Sequence, residues 1–363
     1  MVRVAVAGAG AFGRNHLRVY RELQAAGPDV EGRGVALVAA VEPDPARAAE
    51  AAARYAIPVF PSVAELAASG LQLDAASVAA PTVHHHAVAS ALLDAGLDLL
   101  VEKPLAATLA EAEALAAQAE RAGRILQPGH LERFNPAVLA IEPLLRRPMF
   151  FEAHRLSVFT PRSLDVDVVL DLMIHDLDIV LAFAASPVRE VRAVGLPVVS
   201  PKVDIANVRV EFDSGCVANF TASRVSTERV RKLRFFEPRQ YVSIDYARRD
   251  LLVIRMDTGS GGLSPELAAS IAAASADKTL LAQLASGAAG PAPGLFFDKP
   301  PVAPGEPLRL EIESFLDSVR TRRPPRVTAR QGCAALELAL AIQASMAAHA
   351  QRAGLRDFFA ARP

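Results

Sequence analysis

The chain has 363 residues, enough for two domains with a hydrophobic core in each. Its 39 Lys and Arg residues nearly balance its 40 Asp and Glu residues, so the chain has no overall basic field that would favour nucleic acid, and a small-molecule partner is expected. Cys216 and Cys333 have no paired spacing, which argues against a disulfide framework and against a metal site, and favours the cytoplasm. Charged residues interrupt the apolar segments, so we predict neither a signal peptide nor a membrane span.

The first predicted element is a buried parallel strand over residues 2–8, because apolar side chains fill almost every position. A G-x-G-x-x-G turn follows and opens a helical pattern. In such a turn the first glycine makes the tight bend, the second lets the backbone approach a pyrophosphate, and the third lets the helix pack on the strand. A purely structural turn also uses glycine, but this strand-to-helix setting favours dinucleotide binding. The candidate residues are Gly8, Gly10, Ala11, Phe12 and Gly13.

The second predicted strand, residues 35–41, ends at Glu42. A carboxylate at this strand end can accept hydrogen bonds from both hydroxyls of an adenosine ribose and would repel a ribose phosphate. The cofactor is therefore predicted to be NAD rather than NADP. Two alternatives stay open: Glu42 as a solvated loop carboxylate, and nearby Asp44 as the ribose ligand.

Alternating strand and helix patterns continue to residue 127, which predicts an N-terminal Rossmann domain with a parallel sheet over residues 1–127. The predicted helices are 46–55, 63–68 and 85–95, and the further strands are 57–60, 75–80, 97–101 and 124–127. Ligands on such sheets lie beyond the carboxyl ends of the strands. Gly10, Glu42, Thr82 and Lys103 all fall at this edge.

Residues 128–363 have a different pattern and predict a C-terminal α+β domain with a mostly antiparallel sheet, for substrate binding and oligomerisation. The predicted strands are 150–155, 188–195, 206–212, 215–223, 240–245 and 250–256. A helix is predicted over 167–183, and closing helices over 308–321 and 331–353. Residues 259–307 are rich in Gly, Ala, Ser and Pro, which predicts an insertion or flexible loop.

The apolar residues of this sheet predict self-association. Val208, Val210, Phe212, Val217 and Phe220 are expected not to face a single core. We therefore predict a homodimer or homotetramer that buries the C-terminal sheet.

Four stretches carry a family resemblance: the glycine turn, Ala80-Pro81-Thr82-Val83-His84-His85, Val101-Glu102-Lys103-Pro104 and Asp171-Leu172-Met173-Ile174-His175. With them the chain resembles the glucose-fructose oxidoreductase and inositol dehydrogenase (Gfo/Idh/MocA) family over nearly its whole length, and least over residues 259–304. The resemblance implies an NAD-dependent oxidoreductase that oxidises a secondary alcohol of a sugar to a ketone. It also implies that Thr82, His85 and Glu102 line the nicotinamide side of the cofactor.

Residues 129–136 and 168–176 are similar to a bacterial branch of this family that includes UDP-N-acetylglucosamine 3-dehydrogenase. The resemblance implies oxidation at C3 of UDP-N-acetylglucosamine, which supplies an aminotransferase in the synthesis of a 2,3-diamino sugar of lipid A. Other activities stay open: an inositol, free-sugar or UDP-sugar-uronate dehydrogenase of the same family, or a catalytically silent regulator that senses a dinucleotide.

Alcohol oxidation needs a base for the hydroxyl proton and a positive group beside the developing alkoxide. Asp171 and His175 lie one predicted helical turn apart, so the carboxylate can orient the imidazole, and we assign His175 as the base. Lys103 ends a central strand immediately before a proline, and we assign its ammonium to the reacting oxygen. The alternatives are a satisfied core histidine at position 175, a lysine paired with Glu102 or Asp98, and Asp176 or Asp178 as the orienting carboxylate.

Substrate recognition is predicted from Arg133, Asn135, Arg155 and Arg162, because arginine forks suit a diphosphate or a carboxylate. His175 is included among the substrate contacts. A cluster from Arg224 to Arg234 also fits phosphate, but a charged sheet edge that discourages aggregation is the favoured interpretation. Consecutive His84, His85 and His86 point in different directions on a helix, so we predict no metal site.

Overall fold

A computed structural model of the chain describes residues 1–27, 34–160, 166–256 and 295–355. It contains two compact units. The first is formed by Met1–Phe134 and Gly305–Leu338, and the second by the described residues of Asn135–Pro304 and Ala339–Pro363. The first unit therefore includes residues 128–134 and 305–338, which the sequence-based division assigned to the second domain. Each unit is built on its own β-sheet.

The sheet of the first unit consists of β1 (Val2–Ala7), β2 (Val35–Val41), β3 (Val59–Phe60), β4 (Ala75–Val78), β5 (Asp98–Glu102) and β6 (Leu126–Gly129). Neighbouring strands are parallel, in the order β3-β2-β1-β4-β5-β6. This is the strand order of the doubly wound dinucleotide-binding fold. The predicted Rossmann fold is confirmed.

The helices of the described residues are α1 (Gly13–Ala26), α2 (Pro45–Tyr55), α3 (Val63–Ala68), α4 (His85–Asp94), α5 (Leu109–Ala122), α6 (Pro136–Ile141), α7 (Ile174–Ala184), α8 (Pro307–Thr321) and α9 (Ala329–Arg352). Side-chain oxygens of Asp44, Ser62 and Thr108 cap the first turns of α2, α3 and α5. Such caps satisfy backbone N–H groups that have no partner within the helix. Local sequence therefore fixes where these helices begin.

The core of the first unit explains why a segment so late in the chain belongs to it. Val4 of β1 and Leu17 and Tyr20 of α1 pack in one cluster with Ile312 and Phe315 of α8. All five side chains are fully buried, and burial of each large apolar side chain stabilises a fold by about 1.5–3 kcal/mol. Helix α8, predicted as a closing helix of the second domain, is thus part of the first hydrophobic core.

The second sheet consists of β7 (Phe150–Leu156), β8 (Val188–Leu196), β9 (Ile205–Phe212), β10 (Val217–Ser223), β11 (Val230–Glu237), β12 (Gln240–Asp245), β13 (Asp250–Met256) and β14 (Leu295–Asp298). The strand order is β14-β13-β12-β11-β7-β10-β9-β8. Neighbours are antiparallel except for the parallel pair β7 and β10. The predicted mostly antiparallel sheet is confirmed, but β11 and β14 were not predicted.

Strand β11 was missed because its charges conceal the alternation of a half-buried strand. Arg231, Lys232 and Arg234 are partly buried or exposed, whereas Leu233 and Phe235, which follow Lys232 and Arg234, are fully buried. The strand lies inside the sheet, between β12 and β7. The interpretation of these charges as a sheet edge is therefore wrong.

Residues 259–307 were predicted as an insertion or flexible loop. Part of this segment, β14, is instead a strand paired with β13, so the prediction is wrong for residues 295–298. Residues 257–294 lie outside the described part of the chain.

The second sheet has one buried face, contrary to the expectation from its apolar residues. Val208, Val210 and Phe212 of β9 and Phe220 of β10 are all buried, and Phe220 pairs directly with Val208. Only Val217 lies on the opposite, partly exposed face. The premise that these residues cannot share one core is wrong, because period-two alternation places four of them on the same side.

The predicted helix over residues 167–183 is present, but it begins with an irregular turn. Val169–Met173 are π-helical, and α7 continues from Ile174. A π-helical turn inside a helix is uncommon and occurs often at functional sites. Asp171 lies in this turn, and His175 is the second residue of α7.

Helix α9 is the one described helix that is long and apolar enough to cross a membrane, by length and composition only. Several of its apolar residues are core positions of the protein: Leu336, Ala339 and Ile342 are almost fully buried. Core helices commonly pass the same test.

Candidate active site

The parallel sheet brings several predicted site residues to one edge of the first unit. The glycine turn follows β1, Glu42 follows β2, Thr82 lies beyond β4, and Lys103 follows β5. Strand order reverses between β1 and β4, and a crevice at such a reversal is where ligands bind in open α/β sheets.

The three glycines of the turn differ in what surrounds them. A Cβ at Gly8, whose φ is +99°, would lie 2.7 Å from the backbone nitrogen of Ala80. A Cβ at Gly13 would lie only 1.9 Å from the carbonyl oxygen of Gly8, whereas a Cβ at Gly10 would meet no atom within 4 Å. Gly8 and Gly13 are therefore required by the protein's own packing. Gly10 faces open space, as a backbone that receives a pyrophosphate must.

Glu42 is buried beside the glycine turn. One carboxylate oxygen accepts the backbone N–H of Ala9 at 2.7 Å, and the other accepts the N–H of Asp44 at 3.1 Å. Arg47 lies 3.1 Å from the same carboxylate. The alternative that Glu42 is a solvated loop carboxylate is wrong, since only 4% of its surface is exposed.

Asp44, the alternative ribose ligand, is the N-terminal capping residue of α2. Its carboxylate accepts the backbone N–H of Arg47 at 2.8 Å and so caps α2. The carboxylate next to the turn is that of Glu42, so the geometry favours Glu42 over Asp44.

Thr82 begins a short 3₁₀ turn, Thr82–His84, which leads into α4. His85 follows, is buried, and contacts two carbonyl oxygens: Nδ1 lies 2.8 Å from Pro104 and Nε2 lies 2.8 Å from Ala80. The imidazole of His85 thus joins the loop after β4 to the turn after β5.

Glu102 is the last residue of β5, and Lys103 follows it. The Glu102 carboxylate is buried and accepts a hydrogen bond from Nε2 of His16 at 2.9 Å. Lys103, the next residue, is partly exposed. His16 was not singled out from the sequence, although the burial of Gly13, Leu17 and Tyr20 around it identifies it as a polar residue on the buried stripe of α1.

Arg133 and Asn135 are both buried, each about 5% exposed or less. Arg133 lies in the 3₁₀ turn Leu131–Phe134, and the Asn135 side-chain oxygen accepts the N–H of Ala137 at the start of α6. The predicted substrate contact Asn135 therefore also has a capping function. Arg162 lies outside the described residues.

In the second unit, the residue after His175 forms a buried ion pair. Arg155 of β7 donates from Nε and Nη2 to the two carboxylate oxygens of Asp176, at 2.7 and 2.9 Å. The guanidinium also lies over the ring of Tyr246, 5.4 Å from its centroid. Both charged groups are about 97% buried, so this edge of the guanidinium binds a carboxylate inside the protein, and Asp176 orients Arg155.

Arg224, from the predicted phosphate cluster, is likewise buried in an ion pair. Its Nε donates to Asp204 at 2.7 Å, and Asp204 also accepts N–H groups from Val198, Val199 and Ser200. Arg224 therefore stabilises a loop of the second unit. Among the described residues, no group of three His, Cys, Asp or Glu side chains could hold a metal ion.

Comparison with known proteins identifies the family. Residues 2–130 match the model of an oxidoreductase family with an NAD-binding Rossmann fold, and residues 146–239 match the GFO/IDH/MocA C-terminal domain. The chain belongs to the GFO/IDH/MocA oxidoreductase family. It is an NAD-dependent dehydrogenase of this family that acts on CH–OH groups.

Relatives within the family differ in how much of the chain they match. UDP-N-acetylglucosamine 3-dehydrogenase of Acidithiobacillus ferrooxidans is 32% identical over 97% of this chain and 99% of its own. Its solved structure superposes with a TM-score of 0.80 over 95% of this chain and 97% of that chain. Inositol 2-dehydrogenase of Acidothermus cellulolyticus is also 32% identical, but over 53% of this chain and 56% of its own. A levoglucosan dehydrogenase complex with NADH, 17% identical with a TM-score of 0.77 over 95% of this chain and 97% of that chain, shares the fold.

Proposed function

We propose that this GFO/IDH/MocA dehydrogenase oxidises the C3 hydroxyl of UDP-N-acetylglucosamine to a ketone, with NAD as the hydride acceptor. The observation that carries the proposal is end-to-end similarity to UDP-N-acetylglucosamine 3-dehydrogenase, at 32% identity over 97% of the chain. Inositol 2-dehydrogenase is equally similar over only about half of the chain. Since the second domain is expected to recognise the substrate, similarity across it bears most directly on substrate class.

The proposed mechanism divides the chemistry between two side chains. Bound NAD supplies an acceptor for the hydride that leaves the carbinol carbon. His175 accepts the hydroxyl proton on an imidazole nitrogen, and Asp171 orients that imidazole. Lys103 places its ammonium against the same oxygen and stabilises the negative charge that develops there. The products are the ketone, the reduced cofactor and a protonated base.

The proposed cofactor contacts follow the edge of the first sheet. The open space at Gly10 would receive the pyrophosphate, with Ala11 and Phe12 immediately before α1, and Glu42 would bind the adenosine ribose. Thr82, His85, Glu102 and Lys103 lie toward the nicotinamide. Gly8 and Gly13 contribute by allowing the turn to pack.

For the substrate, we retain Arg133, Asn135, Arg162 and His175 as proposed contacts. Arg155 is left out, because its Nε and Nη2 already bind the buried Asp176 carboxylate. The 3-keto sugar nucleotide is the substrate that an aminotransferase needs for a 2,3-diamino sugar of lipid A. We place this reaction in the cytoplasm.

The exposed face of the second sheet supports a homodimer or homotetramer. Phe150, Phe236 and Tyr241 are cross-strand neighbours on this face, with ring centroids 5.4 and 5.1 Å apart. Ile254 and Phe297 continue the row on β13 and β14. An aromatic row of this kind is typical of an interface rather than of a solvated face. Light scattering at micromolar concentration is expected to give a dimer or tetramer mass, and a monomer mass contradicts the proposal.

A substrate screen tests the function. UDP-sugars, UDP-sugar uronates, inositols and free hexoses are each incubated with NAD, and NADH formation is followed by absorbance. We expect UDP-N-acetylglucosamine to give the highest kcat/KM. A preference for an inositol, a free hexose or a uronate assigns the alternative dehydrogenase, and NAD binding without turnover on any of them assigns the dinucleotide-sensing regulator.

A further inference from the structure

Two buried histidines contact the residues on either side of Lys103. Nε2 of His16 lies 2.9 Å from the carboxylate of Glu102, and Nδ1 of His85 lies 2.8 Å from the carbonyl oxygen of Pro104. The two histidines are 0% and 1% exposed. We propose that His16 and His85 are positioning residues that fix the backbone from which Lys103 projects. This inference rests on the proposed function, because it takes Lys103 as the group that contacts the reacting oxygen.

The protonation of His16 follows from its surroundings. Its Nδ1 is buried and has no hydrogen-bond partner within the described residues. A proton on that nitrogen would have no acceptor, which is costly in a buried site, so the ring carries its proton on Nε2. His16 is therefore a neutral donor to the Glu102 carboxylate, and the ring of Phe12 packs edge-on against it at 5.6 Å.

Glu102 is confined on its other side by β6. A Cβ at Gly129 would lie 2.9 Å from Cα of Glu102 and 3.1 Å from its Oε1, so only a glycine fits at this position. The carboxylate is thus held between the imidazole of α1 and the backbone of β6. Neither the Glu102 side chain nor its backbone can shift without losing one of these contacts.

His85 holds the following residue in a different way. Its two nitrogens face two carbonyl oxygens, Pro104 from Nδ1 and Ala80 from Nε2, each at 2.8 Å. A carbonyl oxygen only accepts, so the imidazole is the donor: a neutral ring donates to one of the two oxygens and contacts the other, and a ring with a proton on both nitrogens donates to both. The ring thereby fixes the turn after β5 to the loop after β4, which packs against Gly8 of the glycine turn.

The benefit for catalysis is geometric. A lysine side chain is long and flexible, so its ammonium is placed reliably only when the backbone at its base is fixed. A displacement of about 1 Å in a positioning element can lower a rate by about a hundredfold. The contacts of His16 with Glu102 and of His85 with Pro104 prevent such a displacement.

Asparagine and glutamine variants separate positioning from packing. The amide nitrogen of Gln reaches the place of a histidine Nε2, and that of Asn reaches the place of Nδ1. At position 16 the donor is Nε2, so we expect kcat of His16→Gln to exceed that of His16→Asn by about tenfold or more. At position 85 the contact with Pro104 is made by Nδ1, so we expect the opposite ranking, with His85→Asn above His85→Gln. The dissociation constant of NAD is expected to change less than about threefold in the two position-16 variants.

The same variants give a readout that needs no substrate. The rate at which acetic anhydride acylates the Lys103 amine, measured by mass spectrometry against pH, reports the environment of that amine. We expect His16→Asn to alter this profile and His16→Gln to leave it close to that of the parent protein. Melting temperatures identify variants that fail to fold, and His85→Gln, which loses the Nδ1 contact with Pro104, is expected to alter the profile in place of an unfolded position-16 variant.

Two results overturn the inference. One is the same ranking of Asn and Gln at both positions, which indicates packing alone. The other is an acylation profile of Lys103 that no folded variant changes. If the parent protein shows no turnover of UDP-N-acetylglucosamine but the acylation profiles follow the expected pattern, the proposed function fails while the positioning of Lys103 stands.

Discussion

The two units place their candidate catalytic side chains by different means. In the first unit, Lys103 follows β5 at the edge where the glycine turn and Glu42 also lie, because parallel strands present their carboxyl ends together. In the second unit, His175 lies on α7, and its neighbour Asp176 is tied to Arg155 on β7. Both sites thus have a buried carboxylate one residue from the candidate catalytic group.

The partners of these carboxylates differ. Glu102 is held by a single neutral imidazole, whereas Asp176 is held by a bidentate, charged guanidinium that also lies over an aromatic ring. A buried charge that loses a charged partner costs far more than one that loses a neutral donor. We therefore expect loss of the Arg155–Asp176 pair to lower the free energy of unfolding of the second unit. Loss of the His16–Glu102 pair is expected to shift the backbone that carries Lys103.

The largest effect is expected at Arg155. Arg155→Met keeps much of the side-chain volume but leaves the Asp176 carboxylate buried without its guanidinium. We expect the free energy of unfolding to fall by about 3–5 kcal/mol, measured by urea denaturation at neutral pH. The matched control is Arg234→Met, because Arg234 forms a partly exposed ion pair with Glu152 on the same sheet, 3.1 Å apart; about 0–1 kcal/mol is expected there.

Equal effects of these two variants would mean that burial adds nothing to the Arg155–Asp176 pair, which contradicts the predicted dependence of the second unit on that pair for stability. A stable Arg155→Met variant with a strongly raised KM for the sugar nucleotide would instead return Arg155 to the substrate site, as its sequence context first indicated.

At Lys103 the expected effect is on rate rather than on stability. Lys103→Ala is expected to lower kcat by about two or more orders of magnitude, because the developing alkoxide loses its positive partner. The affinity for NAD, measured by fluorescence titration, should stay within a few-fold. Retained turnover would mean that Lys103 does not act on the reacting oxygen.

The glycine turn is expected to give a smaller effect that is confined to binding. In Gly10→Ala the added methyl group meets no protein atom within 4 Å, so the melting temperature should not change. NAD affinity should fall by about tenfold, since the methyl group enters the space for the pyrophosphate. Gly13→Ala is the contrasting variant: its Cβ would lie 1.9 Å from the Gly8 carbonyl oxygen, so folding itself should be impaired.

If Gly10→Ala binds NAD as tightly as the parent protein, the open space beside Gly10 does not receive the pyrophosphate. Isothermal titration calorimetry with NAD on the two folded proteins distinguishes these outcomes.

The smallest expected change concerns Asp204 of the second unit. Burial alone would raise the pKa of this carboxyl, but hydrogen bonds from the Ser200 hydroxyl and from three backbone N–H groups outweigh burial and lower it well below its usual range. Its stabilising contribution is therefore present above the unfolded-state pKa of about 4 and is lost only as pH falls through the lower folded-state value. Carbon NMR of the side-chain carboxyl should show no titration between about pH 5 and pH 3. A midpoint near 4 would contradict these contacts.

Much of the first unit could be predicted from the sequence because its site consists of strand ends. The run of apolar residues before Gly8 and the acidic residue after Val41 fix positions along a parallel sheet, and the sheet places them side by side. The core of that unit could not be predicted, since Phe315 reaches it from almost three hundred residues away.

The second unit was harder to predict because its charged residues have long-range partners. A pattern of arginines gives no sign that Arg155 bonds Asp176 or that Arg224 bonds Asp204. Charge also concealed β11, and the shared burial of Val208 and Phe220 depends on a strand register that only pairing reveals. His16 was missed for the opposite reason: its neighbours on α1 are core residues, and a polar residue on that stripe was not taken as a signal.

The most direct test of the account uses UDP-N-acetylglucosamine that carries deuterium at C3. We expect the label to appear in the reduced nicotinamide, turnover to show a primary isotope effect, and the product to be the 3-keto sugar nucleotide. Label that remains in the sugar product while NADH forms, or no reaction at all with this substrate, would contradict the central claim.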